Sequence, residues 1–326
     1  MTLRIAVLGL DHWYAGIPFA RDAAHHARTD LAVIVDADEA RAKEVANELG
    51  VAWSTDFDAV LSDPTIDAVA CFTSVDRSPA LCVRAALAGK HIVAVKPLAL
   101  TREEGDAVVQ AVEDAGIVFV PSEARRTSPL ALELSRVIHS GSLGELVSGT
   151  FSMHSALPSP WRGSTGPSWW TDPGKAPGGG WIDHAVYQID RMNWLFASPI
   201  VSVSGIVAAA RHRELAVEDF GHAVFGLESG AVVTVEDTWV GNGGDSMTTM
   251  HLVGTRGSLH VDTRKGALEI WRDGEWSSVP APSDTFDTLD VLIGAVEDGV
   301  ASTASVRTAR ATLETCLSFY ENAIRL

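Results

Sequence analysis

Cysteine is scarce: Cys71, Cys82 and Cys316 are the whole supply. Their odd number and lack of C-x-x-C spacing argue against a disulfide framework and a zinc ribbon. Basic charge is short as well, with 25 Lys and Arg against 42 Asp and Glu and a net charge of −17. That balance argues against a nucleic-acid partner or a broad anionic-membrane surface, although it leaves a small-ligand cleft unconstrained. No apolar run reaches the roughly 20 residues that span a bilayer. The chain enters Leu3 to Gly9 with no basic n-region or small-residue cleavage site ahead of it. The expectation is a soluble, cytoplasmic chain with reduced thiols and no membrane partner. Internal repeats and low-complexity tracts are absent too.

What is present is enough apolar material for a large core: 46% hydrophobic and 21% charged residues in a chain of 326. That length exceeds the size at which a single core usually keeps growing, so two domains are expected.

From Leu3 to about Pro121, short apolar runs alternate with amphipathic stretches, the pattern of βαβ units on a parallel sheet. The expected strands are Leu3 to Leu8, Leu31 to Val35, Ile66 to Phe72, His91 to Val95 and Ile117 to Val120. Ser78-Pro79 reads as an N-cap and first helical residue, and Gly89 closes that helix. Thr101 and Glu104 have capping-box spacing, with Gly116 at the far end.

After a further helix from Pro129 to Ser140, Pro, Gly, Ser and Trp crowd Leu157 to Gly180, which reads as a long surface segment with a function. A helix from about Trp181 to Phe196 follows, with Asp183, Tyr187, Asp190 and Trp194 on one face. Alternating runs at Val201 to Ala209, His222 to Leu227, Ala231 to Trp239, Thr248 to Val253, Ser258 to Val261 and Ala267 to Trp271 then suggest an antiparallel meander. The last 40 or so residues return to helical periodicity. The fold class is therefore α/β: a doubly wound parallel sheet over residues 1–125, then an α+β domain with a large, mostly antiparallel open sheet over 126–326, the last helices packing back.

Three features carry chemistry. Gly9-Leu10-Asp11-His12-Trp13-Tyr14 stands where a G-x-G-x-x-G turn would cradle a dinucleotide pyrophosphate. Only the first glycine is kept, and the Asp11 carboxylate would repel a phosphate unless turned away. Asp36 ends the second strand, 27 residues after Gly9, where an acidic side chain can accept from an adenosine ribose and disfavour a 2′-phosphate; the competing reading is a helix cap. Lys96-Pro97 falls at the carboxyl edge of the sheet, where a Lys can polarise a hydroxyl or carbonyl.

Asp36 to Ala42, Asp63 to Val69, Ala85 to His91, Lys96-Pro97-Leu98 and Gly178 to Asp183 follow Gly9 in order. Together they resemble the glucose-fructose oxidoreductase / inositol dehydrogenase / rhizopine catabolism family over nearly the whole chain. The resemblance implies a Rossmann domain and a second domain whose open sheet supports a homodimer or homotetramer. It also implies a nicotinamide cofactor, NAD or NADP, of which Asp36 favours NAD, and oxidation or reduction of a carbinol carbon on a sugar, inositol or related polyol lying between the domains. Lys96 matches the Lys of the family's Glu-Lys-Pro motif, and Asp183 the acidic residue of its Asp-x-x-x-His motif. Gly9, Asp11, His12, Asp36, Thr73, Ser74, Lys96 and Pro97 are the expected cofactor residues. Lys96, Glu123, His154, Trp161, Arg162, Trp170 and Asp183 are the expected substrate residues.

The chain departs from the family at Asp11 and Tyr14, at Val95 before Lys96, at Thr73 to Ser78, and at Tyr187 in place of the catalytic His. Tyr187 can take over proton transfer if the neighbouring Lys96 lowers its pKa; His184 is the alternative, although a +1 helix position points about 100° away. Asp11, His12, Glu123, His154, Asp183 and His184 offer metal-ligand chemistry, but no local spacing assembles them, so no metal is expected. Trp161, Trp169 and Trp170 either stack on a sugar ring or pin their segment to the second domain. Two other classes compete with the oxidoreductase: a metal-assisted lyase, isomerase or hydrolase on the same fold, and a non-catalytic sugar-binding regulator.

Overall fold

In the computed structural model, which describes residues 2–326, the chain forms two compact units. The first gathers the chain up to Glu123 together with Ser159–Pro177 and Asp287–Leu313; the second holds Ala124–Pro158, Gly178–Phe286 and Glu314–Leu326. The chain first crosses between the units after Glu123 and then returns to the first unit twice.

The first unit opens with β1 (Leu3–Leu8), α1 (Trp13–His25), β2 (Thr29–Val35), α2 (Glu39–Leu49), β3 (Ala52–Ser54) and α3 (Phe57–Ser62). It continues with β4 (Ala68–Cys71), α4 (Ser78–Leu87), β5 (His91–Ala94), α5 (Arg102–Ala115) and β6 (Phe119–Pro121). All pairings are parallel in the order β3-β2-β1-β4-β5-β6. This is the Rossmann order, and it reverses between β1 and β4, the place where such sheets bind ligands. The strands are buried on both faces, as in β4, where all four residues are enclosed.

Local chemistry sets the helix ends. Thr101 and Glu104 form a full capping box on α5, and Gly116 closes that helix in the left-handed region at φ 63°. Asp38 caps α2 through Ala40 N and Arg41 N. The expected cap at Ser78 is not formed: Arg77 is the flanking residue and Ser78 already lies inside α4, packed against Cys82. Strand β3 was not anticipated, because its three residues are half-exposed or exposed and show no apolar period.

The remaining elements are α6 (Pro129–His139), β7 (Leu146–His154), α7 (Ile182–Phe196), β8 (Ile200–Ala208), β9 (Phe220–Leu227), β10 (Val232–Thr238), β11 (Met247–Gly254), β12 (Gly257–Asp262), β13 (Ala267–Arg272), β14 (Glu275–Pro280), α8 (Thr288–Glu297), α9 (Val306–Asn322) and β15 (Ala323–Arg325). The second unit is built on a nine-stranded sheet, β14-β13-β12-β11-β7-β10-β9-β8-β15. Only β7 with β10 and β8 with β15 run parallel, so the meander expectation holds for most of it. Its central strand, β7, was not expected. One face of that strand is Gly149 and Phe151 beneath α7, and a Cβ on Gly149 would come within 2.9 Å of Phe196; a glycine at a core position erases the alternation that marks a strand.

Asp287–Leu313 is held to the first unit by ion pairs. Arg28 bonds Glu297 at 2.6 Å and Asp298 at 2.8 Å, and Arg310 bonds Asp106 at 2.7 Å. No disulfide joins the three buried cysteines. Among the described residues, no helix is long and apolar enough to cross a membrane.

Candidate functional site

The turn between β1 and α1 is drawn against β4. Gly9 sits at φ 86°, and a Cβ there would come within 2.4 Å of Thr73 Cγ2 and 2.8 Å of Thr73 N, so only glycine fits. Asp36 fixes the same turn from the other side. Its carboxylate accepts from Leu10 N at 2.6 Å and from Asp38 N at 2.7 Å. It therefore does not cap α2, as one reading had it; it ties the glycine turn to the end of β2. Burial is the main reason its carboxyl titrates above the usual range, the Asp38 amide opposing that and Asp11 adding to it.

Asp11 is turned away from the turn's own amides. It accepts from Ser74 N at 2.8 Å, pairs closely with the Arg77 guanidinium, and lies 3.6 Å from Arg41. The carboxylate that opposes phosphate in the sequence is thus paired with arginines on two neighbouring elements. The backbone amides of Asp11 and Trp13, at the start of α1, donate to no protein acceptor among the described residues, which leaves the helix entrance open to an anion. Thr73 Oγ1 is buried without a partner. Beside it, between α3 and α4, a cavity of about 600 Å³ is lined by Phe57, Thr73, Asp76, Arg77, Ala80 and Leu81 among others. That volume is in the range of small-molecule sites. These residues fit a dinucleotide: a glycine held close, free helix-entrance amides, and space at the carboxyl ends of β3 and β4.

The tryptophan-rich segment belongs to this unit rather than to the second one, and it lies against the turn. Trp169 Nε1 donates to the Asp11 carbonyl at 3.1 Å, Trp170 Nε1 to the Tyr14 hydroxyl at 3.2 Å, and Trp13 Nε1 to the Ser159 carbonyl at 3.3 Å. The Trp169 ring packs 4.6 Å from His12, whose Nδ1 is 3.2 Å from the Thr73 carbonyl. Trp161 receives the Arg41 guanidinium at 4.9 Å. Arg162 is occupied by Glu44 and Glu48 of α2 at 2.6 and 2.7 Å, which secures the strap rather than presenting Arg162 to a ligand.

Lys96 follows β5 at a cis peptide with Pro97 and is only 2% exposed. Its ammonium lies 4.6 Å from the centre of the fully buried Trp170 ring, so of the expected substrate residues these two are together in the first unit. Glu123, which ends that unit's first stretch, is buried as well.

In the second unit, α7 carries Asp183, His184 and Tyr187. Its entrance has no side-chain cap of its own; instead Glu218 Oε1 accepts from Gly179 N at 2.8 Å, Trp181 N at 3.3 Å and the Tyr320 hydroxyl at 2.6 Å. A Cβ on Gly179 would meet the Glu218 carbonyl at 2.1 Å, which is why the chain is glycine here. Burial raises the Glu218 carboxyl above its ordinary range against the pull of these donors. Asp183 is buried and accepts from Trp239 Nε1 at 2.9 Å. His184 Nδ1 lies 3.4 Å from Ser155 Oγ, and its ring is 6.4 Å from Tyr187. The cation stacked on Tyr187 is Arg125, whose guanidinium is 4.3 Å from the ring centre. Sequence reasoning missed Arg125, Trp239 and Glu218. Of these only Arg125, in Arg125-Arg126 two residues after Glu123, carried a readable signal.

His154 is not brought to these residues. It sits on the face of β7 opposite Phe151 and α7, where its Nε2 is 3.0 Å from Glu236, and Glu236 also meets His222 Nδ1 at 3.0 Å. Among the described residues, no three His, Cys, Asp or Glu side chains are grouped to hold a metal.

A parallel sheet in Rossmann order, a close glycine at its switch point and a buried Lys at its edge define an NAD-binding oxidoreductase. Comparison with known proteins agrees. Residues 3–122 match an oxidoreductase family described by its NAD-binding Rossmann fold, and residues 131–260 match the GFO/IDH/MocA C-terminal domain. The chain belongs to the GFO/IDH/MocA oxidoreductase family. It is 29% identical over 280 residues to scyllo-inositol 2-dehydrogenase (NAD(+)) of Bacillus subtilis, covering 80% of this chain and 74% of that one. It is 30% identical over 271 residues to inositol 2-dehydrogenase 2 of Saccharopolyspora erythraea, with the same two coverages. Among solved structures, levoglucosan dehydrogenase in complex with NADH superposes with a TM-score of 0.85 over 99% of this chain and 97% of that one; at 22% identity this shows a shared fold.

Proposed function

We propose that the protein oxidises or reduces a carbinol carbon of a sugar, inositol or related polyol. The observation that carries this reading is Lys96, an ammonium buried at the carboxyl edge of the Rossmann sheet against Trp170. NAD, when bound, supplies the acceptor or donor of the hydride. Gly9, Asp11, His12, Thr73 and Ser74 shape its turn, the amides of Asp11 and Trp13 being the donors left for its phosphates. Asp36 and Asp38 disfavour a 2′-phosphate beside the ribose, and Arg41, the nearby cation suited to one, is engaged by Asp11, Asp38 and Trp161. NAD over NADP follows.

In the oxidising direction the carbon gives up a hydride and its hydroxyl a proton, leaving a carbonyl. Lys96 donates a hydrogen bond to the reacting oxygen and stabilises its developing charge. Tyr187 takes the hydroxyl proton, with the Arg125 guanidinium 4.3 Å from the centre of its ring. Asp183, fixed by Trp239, orients the substrate. His184 is the second candidate for the proton, with Asp183 and Ser155 as its neighbours. The wide face of the second sheet that carries Thr150, Thr234, Glu236 and His222 supports assembly into a homodimer or homotetramer.

Replacing Lys96 with Ala tests the reading. NAD reduction on a sugar and polyol panel is expected to fall by about 100-fold or more, with a near-normal circular dichroism spectrum. Undiminished turnover would contradict it.

A further inference from the structure

The arginines around the C-terminal half of α7 are not equally engaged. Three arginines and two aspartates gather there. Arg126 uses Nε and Nη2 on the two oxygens of Asp190, at 3.0 and 2.7 Å. Arg191 Nη2 spans both oxygens of Asp284, at 2.7 and 2.9 Å, and Asp284 also accepts from Ser128 Oγ at 2.8 Å. Both carboxylates are thereby consumed. Arg125 is left over: its nearest carboxylate oxygen is on Asp284 at 3.8 Å, outside hydrogen-bond range. Its side chain is 37% exposed. No side-chain hydrogen bond to another described residue engages it; besides the long ion pair with Asp284, it meets the Tyr187 ring at 4.3 Å. Contact with the ring leaves the guanidinium its N–H edge, the edge that meets a carboxylate with two parallel bonds.

We infer that the substrate is a sugar acid, and that Arg125 holds its carboxylate beside Tyr187. This rests on the proposed polyol chemistry and narrows its substrate class. One guanidinium without a hydrogen-bonded acid matches one carboxylate, whereas a phosphate monoester brings nearly two negative charges. In a chain of net charge −17, a guanidinium with no hydrogen-bonded carboxylate, set against the proton-transfer residue, is a selective feature rather than a general attraction for anions.

The test compares D-glucuronate, D-glucose and D-glucose 6-phosphate on the full-length protein with NAD present, in the wild type and in Arg125→Gln and Arg125→Lys. Initial rates of NAD reduction and direct calorimetric binding are read together. The expected result is a kcat/KM for the acid about 10-fold or more above glucose and a similar calorimetric preference. Arg125→Gln should cut both preferences by about 10- to 100-fold, chiefly through KM, and Arg125→Lys should restore part of them. Equal handling of acid and neutral sugar, or an acid preference untouched by Arg125→Gln, overturns the sugar-acid inference and leaves the dehydrogenase standing. A preference for the phosphate ester overturns the carboxylate assignment. If no sugar is turned over, the activity reading fails separately: acid binding that depends on Arg125 still supports the recognition role, and its absence overturns it.

Discussion

The Asp11 carboxylate and the Arg77 guanidinium form an ion pair across the entrance to α1, one residue standing where the dinucleotide turn has its second glycine and the other five residues beyond Phe72. The two departures from the family pattern are thus one compensated change. Arg77→Ala leaves Asp11 with Arg41 at 3.6 Å and should weaken NADH binding about tenfold. Adding Asp11→Gly to Arg77→Ala should recover most of that loss. Titration by tryptophan fluorescence checks it; additive losses in the double variant would show that the pair is not a unit.

Gly9 bears a sharper constraint. Gly9→Ala combines a left-handed φ of 86° with a 2.4 Å approach to Thr73, so it should destabilise the protein by about 1–3 kcal/mol. NADH binding should be lost with it. A thermal melt unchanged from wild type, with normal NADH affinity, would mean the turn is not held against β4.

The tryptophan strap is fastened unevenly. The Arg162 pairs with Glu44 and Glu48 are partly exposed, and such pairs contribute about 0–1 kcal/mol. Trp170 is fully buried, and its truncation to Ala should cost about 3–5 kcal/mol. Arg162→Ala is therefore expected to leave the melt nearly unchanged while speeding protease cleavage in the exposed stretch 163–167. Protection equal to wild type would locate the fastening elsewhere.

Glu218 gives a pH signature. Its carboxyl is raised in the folded state by burial, so the native form holds the proton more tightly than the unfolded chain does. Stability from this group is fully present below the ordinary carboxyl range and is lost as pH rises through the folded value. Glu218→Gln keeps an oxygen for Gly179, Trp181 and Tyr320 and removes the charge. Relative to wild type it should gain stability between about pH 4.5 and neutrality. Denaturant midpoints measured across that interval decide the point; parallel curves would show that no raised carboxyl is present.

Local chemistry made much of this molecule readable. Thr101, Glu104 and Gly116 mark α5 without tertiary help, and Lys96-Pro97 marks the carboxyl edge of the sheet because the strand before it is plainly apolar. What escaped depended on distant partners. β7 was hidden because Gly149 serves Phe196, far along the chain. Asp11 looked hostile to phosphate because Arg77 and Arg41 cannot be seen beside it in one dimension. The strap's membership of the first unit rests on single side-chain bonds to Asp11, Tyr14 and α2, which leave no period or spacing behind.

Hydride transfer itself is tested most directly by isotope. Incubating the protein and NAD with sugars and inositols deuterated at the carbinol carbons, then weighing the recovered nicotinamide, reports where that hydrogen goes. Deuterium on the reduced nicotinamide, lost in Lys96→Ala, is the predicted result. Exchange of the label into solvent without nicotinamide reduction would contradict the account.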